Sequence, residues 1–202
     1  MKLTFLLILF LSIFSCKSDK KKHSLKEKTN KIGIKTFKVD DKNIKDSIVE
    51  YIKIDGDEYA NQIWLINESN DTIGGNYFNS YIKDTIKLGE IARLRFVLTK
   101  PTIDWNSEMF VLLPYDDDEL NSDFSNLREI KLDTFHSLKN DGIPHPELNG
   151  LDLPLNHITE FGLDFENSGK KRVRGIVVER GEKYNQKYER RLFFDESIYI
   201  QE

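Results

Sequence analysis

Apolar and polar residues alternate with a period of two through much of the chain, and this pattern predicts β-strands. Residues 91–98 show it most clearly, because one face is wholly apolar while the other carries two arginines. The apolar positions are Ala92, Leu94, Phe96 and Leu98. Such a strand is typical of a sheet that has one side in solvent.

Further short strands are separated by Gly, Asn and Asp turns. Asp55-Gly56 supplies the positive φ angles of a tight hairpin turn. The other predicted strands are residues 32–37, 46–54, 60–67, 109–113, 158–165, 172–179, 187–194 and 197–201, with a long polar hairpin loop beginning at Gly181. Because no βαβ alternation is visible, we expect an all-β fold, mainly an antiparallel β-sandwich of immunoglobulin-like type, in a single domain over residues 32–202.

A long irregular insertion interrupts the predicted strands at about residues 116–157. It is polar and is broken by prolines and glycines, among them Gly142, Pro144 and Gly150. Within it, residues 127–135 fit either a strand or the tail of a short helix. Structureless stretches of this length are uncommon in compact domains and are often functional. The insertion is therefore the first place to look for function.

The N-terminus carries an apolar run over residues 3–14, which is too short to cross a bilayer that needs about 20 helical residues. With Lys2 before it and Ser15 after it, the run is typical of a cleaved secretory signal, residues 1–15. Residues Ile13-Phe14-Ser15-Cys16 resemble the lipobox of bacterial lipoproteins. The resemblance implies that Cys16 becomes the N-terminus, is lipidated with a diacylglycerol thioether and an amide-linked acyl chain such as palmitate, and anchors the protein to a membrane.

Cys16 is the only cysteine, and its use as an anchor leaves no disulfide, catalytic cysteine or iron–sulfur site. Residues 17–31 hold seven lysines against two acidic residues, a net charge of +5, whereas residues 32–202 have a net charge of −10. We expect residues 16–31 to be a disordered tether. The acidic domain argues against nucleic acid as a partner, since nucleic-acid affinity comes largely from neutralising phosphates.

Two groups of side chains are candidate metal ligands. His136, His145 and His157 lie in or beside the insertion, but their spacing matches no short zinc motif. Asp116 and Asp118 belong to an acidic run that offers oxygen ligands to Ca²⁺ but lacks the pattern of an EF-hand loop. Scattered surface histidines and a solvated acidic loop are the preferred interpretations, and we predict no cofactor.

The aromatic residues allow two interpretations. They form either a surface for stacking on sugars or peptides, or the packing of the core, which is the commoner case. The residues concerned are Trp64, Tyr77, Phe78, Tyr81 and Trp105. No Gly-x-Ser-x-Gly elbow and no Gly-rich nucleotide loop is present. We therefore predict that the protein is not an enzyme.

Three tripeptides resemble the Asp-Ser/Thr-aliphatic sequence that Bacteroidota use for O-glycosylation of exported proteins, and they centre on Ser47, Thr72 and Thr85. The alternative is structural, because Asp ends a turn and β-branched residues begin a strand. Surface-displayed lipoproteins of that phylum tend to have acidic residues after the lipidated cysteine, whereas lysines dominate here. The periplasmic face of the outer membrane is the expected location.

These observations lead to three functional hypotheses. The first is a lipoprotein that acts as a non-catalytic binding or envelope-structural module for protein or glycan, with its contacts in residues 116–157. The second is an immunity-type lipoprotein whose acidic surface neutralises a basic toxin. The third is a hydrolase with a histidine-lined loop, for which no nucleophile or metal motif is visible.

Overall fold

The protein is described by a computed structural model that covers residues 31–202. The predicted signal peptide, the lipidation site at Cys16 and all of the tether before Lys31 lie outside the described residues. Residues 31–202 are all-β: they form twelve strands in three mostly antiparallel sheets and contain no α-helix. The all-β prediction is confirmed, while the immunoglobulin-like arrangement stays a prediction.

The first sheet is an antiparallel meander of four consecutive strands. They are β1 (Lys31–Asp41), β2 (Ile44–Ile54), β3 (Asp57–Ile66) and β4 (Thr72–Asn76). The β2–β3 hairpin turns at Asp55 and Gly56, whose φ angles are +49° and +90°. These are the left-handed conformations that a two-residue hairpin turn requires, so the sequence signal at this turn is confirmed.

The other two sheets are built from the rest of the chain. Sheet two has the order β10-β7-β5, with β5 (Asn79–Ile82), β7 (Ala92–Val97) and β10 (Ile158–Leu163). Sheet three has the order β6-β12-β11-β8-β9, with β6 (Thr85–Lys87), β8 (Glu108–Pro114), β9 (Leu132–His136), β11 (Gly169–Lys183) and β12 (Gln186–Gln201). Strand β6 pairs with β12 in parallel, and the other pairs are antiparallel.

Sheets two and three share one apolar core. Leu94 and Phe96 of β7 are completely buried, and the Phe96 ring lies 4.7 Å from the ring of Phe194 on β12. Val111 and Val177 of sheet three belong to the same cluster. The alternation predicted for residues 91–98 is confirmed, with the apolar face inside and the arginines outside.

A second, smaller apolar cluster lies on the outer face of sheet three. Phe110, Ile176 and Val178 form it. Residues 116–131 cross this face and cover it, with the buried Phe124 ring 5.1 Å from the ring of Phe193. One part of the predicted irregular insertion is therefore a cover for an apolar surface.

The hairpin between β11 and β12 corrects two expectations. No long loop begins at Gly181, because β11 continues to Lys183 and turns at Tyr184 and Asn185, where φ is +55° and +61°. Strand β12 is also continuous over Gln186–Gln201 and is not two strands. Gly181 serves close packing, since a Cβ at this position would lie 2.8 Å from the Cβ of Ser107.

The choice left open for residues 127–135 is also resolved. Residues 132–136 form β9, which pairs with β8, and the residues before it form turns. Three short 3₁₀ turns lie in the irregular insertion, at Asp117–Glu119, Pro146–Leu148 and Leu155–His157. The insertion is thus two loop segments, residues 116–131 and residues 137–157, on either side of one strand.

Candidate functional site

A groove lies on the outer face of sheet two. Its floor is formed by β5, β7 and β10, and its roof by residues 138–155, which we call the roof segment. The groove has a volume of about 820 Å³. The groove therefore lies between the irregular insertion and the outer face of β7, which carries Arg93 and Arg95.

The floor positions its polar side chains by strand register. Tyr81 of β5 and Glu160 of β10 are both register partners of Arg95 on the central strand. Arg95 donates from Nε to Glu160 Oε2 at 2.7 Å, and its Nη2 lies 2.6 Å from the same oxygen. These three side chains form one row across the sheet.

The walls of the groove are mainly aliphatic. The side chains concerned are Ile91, Val97, Leu138, Ile143, Leu148, Leu153, Pro154 and Ile158. Ile91 lies across Gly162, where an added Cβ would come within 2.5 Å of Ile91 Cγ2. Ile143 on the roof is 64% exposed, so an apolar side chain of the roof faces open space.

The roof segment is fastened at its base. Leu138 N–H donates to the Ile158 carbonyl at 2.8 Å, and Lys139 N–H donates to the Leu155 carbonyl at 3.3 Å. Asp141 accepts the Ile143 N–H at 2.8 Å, a local turn typical of Asp, before the chain rises over the groove. Gly142 with φ of +80° allows that turn.

An acid–imidazole cluster occupies the roof side of the groove. His145 Nε2 lies 2.8 Å from Asp141 Oδ2, and His145 Nδ1 lies 3.3 Å from Glu147 Oε1. The hydrogen bond with Asp141 is the largest effect that raises the pKa of His145 above its usual value. For Asp141, burial raises the pKa, but hydrogen bonds from the Ile143 N–H and from His145 outweigh burial and lower it.

The three histidines lie in three different environments. His145 lines the groove, while His136 is exposed on β9 and lies 3.8 Å from Glu108. His157 is completely buried under the loop of residues 98–107. Within residues 31–202, no group of three His, Cys, Asp or Glu side chains is arranged to hold a metal ion.

A buried polar network surrounds His157 and was not expected from the sequence. Ser107 Oγ lies 3.0 Å from His157 Nε2 and donates to Glu179 Oε1 at 2.5 Å. Glu179 also accepts the Ile103 N–H at 3.1 Å and pairs with Arg190 at 2.6 Å. Alternation in β11 does not indicate it, because Glu179 follows three consecutive buried residues, Ile176, Val177 and Val178, and is buried itself.

This network differs from a catalytic triad in two respects. The acid contacts the serine and not the second imidazole nitrogen, because His157 Nδ1 has no partner within the described part of the chain. Ser107, His157 and Glu179 are all fully buried, so a substrate cannot reach them. The network instead holds residues 102–107 against β11, because Glu179 accepts the Thr102 and Ile103 N–H groups and the Ser107 hydroxyl.

The acidic run at residues 116–119 is engaged in local structure. Asp116 accepts the Asp118 N–H at 3.0 Å and begins the 3₁₀ turn. The carboxylate of Asp117 accepts two hydrogen bonds from the guanidinium of Arg174. Nη2 donates to Oδ2 at 2.9 Å, and Nε donates to Oδ1 at 2.9 Å. These contacts support the interpretation of Asp116 and Asp118 as part of a structural loop.

The remaining candidates are dispersed. Tyr77 and Phe78 are buried, so the five aromatic residues do not form one exposed surface, although Tyr81 is exposed at the groove. Thr72 and Thr85 are the first residues of β4 and β6, as the structural alternative predicted, whereas Ser47 lies inside β2. Thr72 is exposed, and the other two hydroxyl residues are half-buried.

Comparison with known proteins adds no family. No protein-family model, curated protein or solved structure matches this chain. Within residues 31–202, no helix is long and apolar enough to span a membrane. The functional argument therefore depends on the geometry of the groove.

Proposed function

We propose that the protein is a lipid-anchored, non-catalytic binding module of a bacterial cell envelope, and that the groove over sheet two holds its protein or glycan partner. The groove is the single observation that carries this proposal. Its volume of about 820 Å³ falls in the range of roughly 300–1,000 Å³ typical of ligand sites. Aliphatic walls with a few placed polar groups are the usual composition of such sites.

The chemistry of the groove supports binding over catalysis. Within the described chain, the imidazole of His145 is hydrogen-bonded to the two carboxylates Asp141 and Glu147 and to no hydroxyl nucleophile. A general base needs its substrate proton or nucleophile within hydrogen-bond reach. The immunity-type and hydrolase hypotheses stay predictions from the sequence.

The anchor and the finer fold are parts of the same proposal. The lipobox-like residues support lipidation of Cys16 and attachment to the periplasmic face of the outer membrane. Sheets two and three share a core, as the two sheets of a β-sandwich do, and this supports the immunoglobulin-like sandwich. O-glycosylation of Ser47, Thr72 and Thr85 stays a prediction, which added mass on these residues would test.

Site-specific photo-crosslinking in the native cell tests the binding function. A photoreactive amino acid replaces Ile143 on the roof in one variant and Tyr184 at the β11–β12 turn in a control, both being exposed positions. We expect one discrete crosslinked species at position 143 that is absent at position 184. The same pattern at both positions, or none at 143, would contradict binding in the groove. Intact-mass measurement of the same protein shows whether residues 1–15 are removed and Cys16 carries lipid.

A further inference from the structure

The charges that line the groove are paired with each other except for one. The charged side chains are Arg93, Arg95, Asp141, His145, Glu147 and Glu160. Arg95 is bonded to Glu160, and His145 lies between Asp141 and Glu147. Within residues 31–202, the guanidinium of Arg93 has no ion pair and no hydrogen bond, although it is exposed in the same floor.

Strand register explains why Arg93 has no internal partner. Arg95 faces Glu160 across the β7–β10 pair, but Arg93 faces Gly162, which has no side chain. On its other side, Arg93 lines a smaller pocket together with Lys83 and Glu90. Glu90 is already bonded to Lys83 at 2.9 Å and accepts the Lys87 N–H at 3.3 Å. The nearby acids are therefore engaged, and the guanidinium is open to an external anion.

The surroundings of Arg93 favour a peptide over a glycan. Ile91 lies over Gly162 beside Arg93, and Ile143 and Leu153 line the same groove from the roof. Sugar hydroxyls would lose water against these aliphatic side chains without gaining hydrogen bonds. Aliphatic side chains of a peptide gain free energy in the same place, since their apolar surface leaves water.

We propose that the groove binds a protein through a short exposed segment in which an Asp or Glu is flanked by aliphatic residues. The carboxylate pairs with Arg93, whose planar guanidinium can hold it with two parallel hydrogen bonds. The flanking side chains pack on Ile91 and on the roof residues Ile143 and Leu153. This inference rests on the proposed function, because it names the ligand class of the same groove.

Selection from a displayed library of random heptapeptides tests the inference. The full-length protein is immobilised in detergent as wild type and as three variants, Arg93→Glu, the control Arg128→Glu at an exposed arginine outside the groove, and the wall variant Ile143→Glu/Leu153→Glu. We expect the wild type to enrich Asp or Glu beside Leu, Ile or Val at least tenfold over the starting library. Arg93→Glu should enrich Lys or Arg instead, Arg128→Glu should select as the wild type does, and the wall variant should select nothing.

Each outcome separates the inference from the proposed function. The role of Arg93 is wrong if the selected peptides need the wall residues but are not enriched in Asp or Glu. It is also wrong if the Arg93→Glu variant still enriches Asp or Glu. In both cases binding in the groove stands. If no peptide is enriched but the protein binds glycans on an array and the wall variant does not, the peptide inference is wrong and the proposed function stands. If neither peptides nor glycans depend on the wall residues, both proposals fail. Unchanged circular dichroism and melting temperatures show that the variants are folded.

Discussion

Residues 116–131 and the roof segment each cross the outer face of a sheet, but only the first buries an aromatic side chain against the sheet. On sheet three, Leu127 packs against the apolar cluster of Phe110, Ile176 and Val178, and the buried ring of Phe124 packs against Phe193 beside it. On sheet two, the roof segment is fastened at its base and leaves a groove of about 820 Å³ above the floor. Two loops of similar length therefore pack differently on the sheets beneath them.

The difference arises from the side chains on the two outer faces. An apolar face must be covered, because exposed apolar surface is costly in water. Sheet three presents such a face, and an aromatic side chain of the loop closes it. Sheet two presents Arg93, Arg95 and Glu160, which remain hydrated and need no cover. A charged floor therefore does not require the loop above it to close, and variants in the two regions test this contrast.

The largest expected effect is at the aromatic side chain that closes the first face. Phe124→Ala should lower the free energy of unfolding by about 3 kcal/mol, because it removes a buried ring and leaves a cavity. Ile143→Ala on the exposed roof should change it by less than about 0.5 kcal/mol. Urea unfolding of both variants measures the difference. Equal losses would show that the two loops are packed alike.

The glycines of the two regions give a second contrast. A Cβ at Gly175 would collide with the Leu112 carbonyl oxygen, which is backbone, whereas at Gly162 its one close contact would be the side-chain Cγ2 of Ile91. Ile91 can move into the open groove, so the clash at Gly162 is relieved there. We expect Gly175→Ala to cost about 2 kcal/mol and Gly162→Ala less than about 1 kcal/mol. A melting temperature that falls equally in both variants would mean that the groove floor is as rigid as the core.

Two paired arginines give a third contrast: Arg174 pairs with Asp117 of the first loop, and Arg95 pairs with Glu160 in the groove floor. The side chain of Arg174 is 6% exposed and binds Asp117 with two nitrogens, while that of Arg95 is 55% exposed. Arg174→Met should lower stability by about 2 kcal/mol, somewhat below the cost of breaking a fully buried pair because Asp117 is partly exposed. Arg95→Met should cost less than about 1 kcal/mol.

Amide hydrogen exchange locates the effect of Arg174→Met. Exchange should become faster in residues 117–127 and stay unchanged in the roof segment, because Arg174 also donates to the Asp117 and Asn121 carbonyls. Faster exchange in both segments would indicate that the loops open together, and the contrast between them would then be lost.

Much of the fold could be predicted because its signals are local. Alternation in residues 91–98 and the Asp55-Gly56 turn depend on neighbouring residues only, and both were predicted correctly. Gly181 was misread as a loop because its role is a contact with Ser107, 74 positions away along the chain. Phe124 likewise lies in a polar stretch, and only the packed structure shows what it covers.

The sequence predicts where the groove lies, but it does not predict which charged side chains pair inside it. Irregularity indicated where the groove lies, and alternation placed Arg93 and Arg95 on one face. The register of β10 against β7 decides which arginine lies opposite an acid. It places Glu160 opposite Arg95 and Gly162 opposite Arg93. Because β10 follows β7 by some 60 residues, no local pattern shows this register. The network of Ser107, His157 and Glu179 brings together residues 72 positions apart, so no local pattern shows it.

The smallest expected effect on stability concerns two histidines whose pKa values shift in opposite directions. Burial is the main cause that lowers the pKa of His157 from 6.5, and the Asp141 hydrogen bond is the main cause that raises the pKa of His145 from 6.5. His145 therefore contributes stability that is fully present below about pH 6.5 and is lost as pH rises through its folded pKa, whereas His157 destabilises the fold as pH falls below about 6.5. Proton NMR titration should show His145 titrating above 6.5 and His157 below it, with the His145→Gln variant losing only the higher transition. If the two imidazoles titrated at the same pH, the environments of His145 in the roof segment and of His157 in the buried network would not differ in their effect on histidine pKa.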